Sequence, residues 1–183
     1  MPDDFEDIFA ELDAITAPKT RETIIRAPFP YPGGKSKSVL KILPLLPHSK
    51  SYIEPFGGSG AVLLSKPACK LDVFNDRYAG VVAFYRCIRN TAKYQRLIEA
   101  IDLSIYSRED FKWCKDTWEN CEDDVERAFR WYYMISYSFA SFGRNWGRAT
   151  SGSGSLAGKI RNRLPEFDTL HARLKNVSVE NQD

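Results

Sequence analysis

The chain has 183 residues, is 43% hydrophobic and 27% charged, and carries a net charge of +2. These are globular values, enough for one domain with or without an inserted lobe. No apolar run reaches the roughly 20 residues of a membrane helix, and the acidic N-terminus is unlike a secretory leader, so a cytoplasmic location is expected.

The charge is segregated along the chain. Residues 1–23 hold seven acids (Asp3, Asp4, Glu6, Asp7, Glu11, Asp13, Glu22) and two bases (Lys19, Arg21). Residues 1–27 are expected to form an acidic, mobile tail, a reading favoured over a tail that docks on a partner.

Next comes Phe29-Pro30-Tyr31-Pro32-Gly33-Gly34-Lys35-Ser36. The pattern predicts a loop leading into a helix from Ser36 to about Leu46, with Val39, Leu40, Leu43 and Leu46 as its apolar stripe. Gly34-Lys35-Ser36 suggests a phosphate loop, but that motif needs glycine where Phe29 stands and a strand running into the loop.

The centre of the chain is more informative. Ser51–Glu54 reads as a strand, Phe56–Gly60 as a glycine-rich turn, Ala61–Leu64 as a helix start and Leu71–Phe74 as a second strand delivering Asp76. A strand, glycine turn, helix, strand and acid in that order suit an adenosine-type cofactor in a doubly wound sheet. Glycines let the backbone approach a ligand, and an acid past the second strand can accept ribose hydroxyls. Glu54, just before the turn, would repel a pyrophosphate and suits a cationic ligand such as S-adenosylmethionine. The competing structural reading is a tight turn that binds nothing.

A second lobe follows. Residues 104–126 hold eight acids against three bases, whereas Gly143–Arg163 holds five bases and no acid. Ser107 is placed to cap a helix that buries Phe111, Cys114 and Trp118. A second helix, about Glu122–Tyr137, turns Val125, Phe129 and Tyr132 inward, with Tyr133 or Ser136. Helical spacing favours Trp131, Tyr132, Tyr133 and Tyr137 as core over base-stacking groups. Ser138–Ser155 reads as a flexible hairpin rich in Ser, Gly, Arg and aromatics. Taken alone, its bases fit phosphate contacts and an ordinary solvated loop equally well. Pro165–Leu174 is predicted as a helix with Phe167, Leu170 and Leu174 on one face, and Val177–Val179 as a strand. Cys69, Cys87, Cys114 and Cys121 have no metal-site spacing and read as reduced thiols.

Pro32-Gly33-Gly34-Lys35, Tyr52–Gly60, Asn75-Asp76, Ser138-Phe139, Trp146-Gly147, Leu170–Val177 and Glu180-Asn181 stand in the order seen in the Dam-class DNA adenine-N6 methyltransferases. The chain resembles the amino-terminal part of that family, particularly phage and restriction-associated members, over roughly residues 28–183. The resemblance implies an α/β S-adenosylmethionine-dependent methyltransferase (Rossmann-like) fold with an incomplete sheet and a mostly helical target-recognition insert. It divides the chain into a core of residues 28–103 and 164–183 and an insert of residues 104–163. It gives cofactor binding to Tyr31, Gly33, Lys35, Glu54, Phe56, Gly58, Asp76 and Asp183. It makes Arg144, Trp146, Arg148, Lys159 and Arg161 candidates for contact with double-stranded DNA.

One departure is large. The family's Asp-Pro-Pro-Tyr element orients the adenine amine toward the methyl donor, and this sequence contains no Pro-Pro, Asp-Pro or Asn-Pro pair. The expectation is therefore a cofactor- and DNA-binding portion that does not methylate alone. An inactive homologue binding DNA, cofactor or a protein partner is the alternative, and a nucleotide-binding module of another class is a third. An open sheet edge is expected at Ser51–Glu54, which invites self-association or a second polypeptide.

Overall fold

A computed structural model describes residues 24–148 and 156–183. Most of the acidic tail, and the hairpin tip at 149–155, lie outside the described residues. The packed chain begins earlier than residue 28: Ala27 is buried, Ile25 accepts a hydrogen bond from Ser65 and Ala27 accepts one from Arg163.

Three parallel strands form the sheet, in the order β1 (Ser51–Glu54), β2 (Leu71–Asn75), β3 (Val177–Glu180). Glu54 pairs in register with Phe74, and Phe74 with Val179. Alternation along the strands buries Asp72, Phe74, Val177 and Val179 on one face and leaves Ile53 and Leu71 largely exposed. Among the described residues β1 pairs on one side only, as expected for an open edge.

The expected helix at Ser36–Leu46 is shorter. It comprises α1 (Val39–Ile42) and a 3-10 turn, Leu43–Leu45, because Pro44 lacks the amide that an α-helix would need there. The helix α2 (Ala61–Ser65) joins β1 to β2. Two helices not read from the sequence follow β2: α3 (Ala79–Arg89) and α4 (Thr91–Leu103), the latter capped by Asn90 accepting from the Lys93 amide. Then come α5 (Arg108–Thr117), capped by Ser107 as expected, and α6 (Asp124–Tyr137). In α6 the Asp123 carboxylate accepts from the Val125 and Glu126 amides. A 3-10 segment, Arg161–Glu166, leads into α7 (Phe167–Leu174).

The helices α5 and α6 share one hydrophobic cluster with the sheet, and it runs from Phe29 through α3 and α6 to Val179. The aromatic residues of α6 are its centre. Trp131, Tyr132, Tyr133 and Tyr137 are all buried, as the helical spacing indicated. Phe84 of α3 stacks on Tyr132 at 4.8 Å, and Phe29 meets Trp131 edge-on at 4.8 Å. Gly80 permits this approach: a Cβ there would sit 2.1 Å from the Trp131 indole. Cys87 and Cys114 are buried thiols whose pKa values burial pushes up to about 12, so both are protonated at neutral pH.

One buried ionic cluster fixes the sheet to its helices. Asp72, 1% exposed at its side chain, accepts from Lys66 and Arg173, each at 2.7 Å, and from the Cys69 amide. Burial alone would raise its pKa, but the hydrogen bonds from Lys66 and Arg173 outweigh it and hold the group low. Replacing Asp72 by Ala leaves two buried cations without their acid. Asp72→Ala is expected to lower stability by about 3–5 kcal/mol. A urea melt with an unchanged midpoint would contradict this.

Candidate cofactor turn and basic segment

The carboxyl ends of β1 and β2 carry the glycine turn, and Asp76 organises it. One carboxylate oxygen of Asp76 accepts from the Gly58 amide at 2.7 Å, and the other from the Tyr78 amide at 2.8 Å. The first bond holds the turn against the end of β2, and the second starts α3. Within the turn, the Gly57 amide donates to Asn75 and the Gly60 amide to Gly57. Gly58 and Gly60 have φ of 52° and 62°, a region costly for other residues. Gly57 is required sterically, since a Cβ there would meet the Phe74 ring at 2.1 Å.

Tyr31 comes from the upstream loop and covers the turn. Its ring lies where a Gly58 Cβ would reach it at 2.8 Å. Its pKa is raised by burial and, secondarily, by the charge of Asp76. The loop is tied by the Gly34 amide donating to Tyr31, with Gly33 at φ 74°. Lys35 is exposed, and its ammonium donates to Gly33 within its own loop. The fold thus brings Tyr31, Gly58 and Asp76 together and sets Gly33 and Lys35 beside them. Phe56, 87% exposed, marks the outer rim. Asp183 pairs with Arg77 at 3.0 Å, both side chains being exposed.

Glu54 has a structural task beside the ligand-facing one inferred for it. It accepts from the Leu63 amide at 2.9 Å and from the Tyr52 hydroxyl. It thereby caps α2, whose own N-cap, Gly60, has no side chain to do so. Two residues without an assigned role prove central to the rim. Asn75 donates to Pro55 and Gln182 and accepts from the Gln182 amide, and Asn181 donates to Asp76 and Arg77. Both stand in the Asn75-Asp76 and Glu180-Asn181 pairs, so their motif membership was the available signal.

The structure separates the basic candidates into two groups. Arg144, Arg148 and Arg161 are exposed. Lys159 is half-buried and donates to the Ser136 carbonyl, and burial lowers its pKa. Trp146 is half-buried against the core: it stacks on Tyr106 at 4.4 Å and meets Phe111 at 5.3 Å. Of the expected hairpin, the described part up to residue 148 forms a knuckle. A bridge joins Ser138 and Trp146, and the Phe139 amide donates to Asn145. Within the knuckle Ala140, Ser141 and Gly143 have positive φ, and Phe139 and Phe142 are exposed.

The chain thus carries a glycine turn clamped by an acid at the end of a parallel strand, and a separate segment with three exposed arginines. The family model of the D12 class N6 adenine-specific DNA methyltransferases matches residues 31–182, and the chain belongs to that family. A search of curated proteins finds no match.

Burial raises the pKa of Glu54 to about 7 from the usual 4.5, against the opposing hydrogen bonds of Leu63 and Tyr52 and the charge of Lys66. A carboxyl raised on folding contributes stability that is complete below about 4.5 and is lost as pH climbs through about 7. The loss is on the order of 3 kcal/mol. Glu54→Gln keeps an acceptor for Leu63 and has nothing to ionise. It is expected to flatten this slope and to raise stability at pH 8; parallel pH slopes for both proteins would contradict it.

Proposed function

We propose that the chain is the cofactor- and DNA-binding portion of an adenine-N6 methyltransferase that takes S-adenosylmethionine as methyl donor. The observation that carries this reading is the Asp76–Gly58 clamp beside the Tyr31 ring, within a chain of this family. The fold corresponds to the Rossmann-like methyltransferase type, with β1 to β3 as part of its sheet.

The residues fit the cofactor. Each Asp76 oxygen keeps a lone pair beyond its amide bond, so the carboxylate can still accept ribose hydroxyls. Tyr31 and the exposed Phe56 offer apolar surface, and Asp183 is a second acid at the rim. Gly33 has open space beyond it, with nothing within 4 Å of the point a Cβ would occupy. Glu54 acts by fixing the start of α2. Lys35 acts through the loop it closes. S-adenosylmethionine supplies an activated methyl group; these residues supply binding and orientation.

On the DNA side, Arg144, Arg148 and Arg161 meet phosphates. Trp146 and Lys159 shape the segment that carries them. Phe139 and Phe142 place apolar surface beside Arg144. Without the Asp-Pro-Pro-Tyr element the target amine is not oriented, and most of the catalytic gain is forfeited. Among the described residues one side of β1 carries backbone groups with no strand beside them, a place to which a further strand can add. A methyl-transfer assay on adenine-containing duplexes tests the whole reading. The purified chain alone is expected to bind donor and DNA and to transfer no methyl groups, whereas efficient transfer would overturn the division of labour.

Two variants test the two surfaces separately. Asp76→Ala removes both the ribose acceptor and the clamp. It is expected to weaken S-adenosylmethionine binding by about tenfold or more. Equal affinity in calorimetry would remove Asp76 from the site. Joint replacement of Arg144 and Arg148 by Ala is expected to weaken duplex binding and to flatten the log-affinity against log-salt slope by about two units. An unchanged slope would return this segment to ordinary solvated surface.

A further inference from the structure

The amino ends of the three strands carry a row of bases. Lys50 stands immediately before Ser51 of β1, Lys70 immediately before Leu71 of β2, and Lys175 two residues before Val177 of β3. Ser51 pairs with Leu71, and the Leu71 amide donates to the Lys50 carbonyl at 3.2 Å, so the first two lysines are neighbours. Asp72 pairs with Val177, and Lys70 and Lys175 each precede that pair by two residues. With strands about 4.8 Å apart, the three bases form a row on the order of 10 Å long across the end of the sheet. All three are exposed, and none takes part in an ion pair among the described residues. Asp72, the acid at this end of the sheet, is buried and already shared by Lys66 and Arg173. The row therefore presents its charge to solvent uncompensated.

The row and the basic knuckle stand at opposite ends of the molecule. The helix α3 starts beside Asp76, at the carboxyl ends of the strands, and Cys87 near its other end donates to the Asp124 carbonyl at the start of α6. The helix α6 runs back from there, past Gly80 at Trp131, so Tyr137 and the knuckle lie at the end that bears the glycine turn. We propose that Lys50, Lys70 and Lys175 form a second contact for the phosphate backbone of duplex DNA, separate from the knuckle. This rests on the reading of the chain as a DNA binder. Each strand of a duplex carries one phosphate per about 3.4 Å of helix axis, so a row of about 10 Å faces about three phosphates. Lysine ammoniums are point charges that suit phosphate oxygens, whereas the planar fork of arginine is the better match to carboxylates. That favours a nucleic-acid backbone over an acidic protein. Contacts of this kind carry no sequence information, so the row adds affinity and leaves base reading to other residues.

Fluorescence anisotropy with a labelled duplex, over a series of salt concentrations, tests this on the full chain. Joint replacement of Lys50, Lys70 and Lys175 by Gln, in the protein that already carries Arg144→Ala and Arg148→Ala, is expected to weaken the remaining binding. It is also expected to lower the log-affinity against log-salt slope by about 2.7 units, at 0.9 for each of three phosphates. Replacement of the same lysines by Arg keeps the charge and is expected to keep the slope. Coincident thermal melts show that the variants are folded. A slope unchanged by the Gln substitutions would overturn the proposal, as would a wild-type chain that binds no duplex. An effect of the lysines without an effect of Arg144 and Arg148 would sustain the row and remove the knuckle from the DNA surface. Binding of poly-L-glutamate that depends on the three lysines, with duplex binding that does not, would assign the row to an acidic protein and overturn the proposal.

Discussion

The carboxylate of Asp76 is the interaction on which the site depends. With one oxygen it fixes the Gly58 amide, and with the other it fixes Tyr78 at the start of α3. Charge-assisted hydrogen bonds to amides are stronger than neutral ones, and these are largely shielded from water. Fixing the flexible glycines of the turn in one conformation costs backbone entropy. A buried acid that binds the turn offsets that cost and holds the turn in one conformation. The acid thus builds the turn it lies against. A substitution there acts on the turn and on the start of α3 together.

Much of this was legible in the sequence where the signal is local. The strand at Ser51–Glu54, the strand starting at Leu71, the Ser107 cap and the buried face of Phe167, Leu170 and Leu174 follow from alternation, helical period and capping chemistry. Pro44 was equally visible as a helix breaker, and it cuts short the helix that the apolar stripe through Leu46 suggests. The helices at 79–103 also carry a readable period in Val81, Tyr85 and Ile88, with Asn90 as a cap signal, although no motif marks them.

What stayed illegible is non-local. Glu54 lies nine residues from the amide it caps, and Asp76 lies 18 from Gly58, so no spacing rule predicts either bond. Trp146 and Phe142 are both aromatics in a basic stretch. Only tertiary packing shows that the tryptophan stacks inward on Tyr106 while the phenylalanine is exposed. Lys159 and Arg161 differ in the same way. Composition locates a basic segment, but burial decides which of its charges remain available.

The packing also accounts for how the cofactor turn and the basic segment keep a fixed relation. Asp76 anchors the first residues of α3. Two residues on, Gly80 admits the Trp131 indole, so α3 and α6 meet with no side chain between them at that point. Tyr78 and Phe29 pack edge-on against the same indole. From Trp131 the helix α6 runs to Tyr137, and the knuckle bearing Arg144 begins at Ser138. Interiors packed this closely do not deform gradually, because a gap of about half an ångström already forfeits much of the dispersion attraction. The path from Asp76 to Arg144 is therefore two helices wedged on one indole. The spacing between the glycine turn and the arginine-bearing knuckle is set by that wedge more than by the loops at either end.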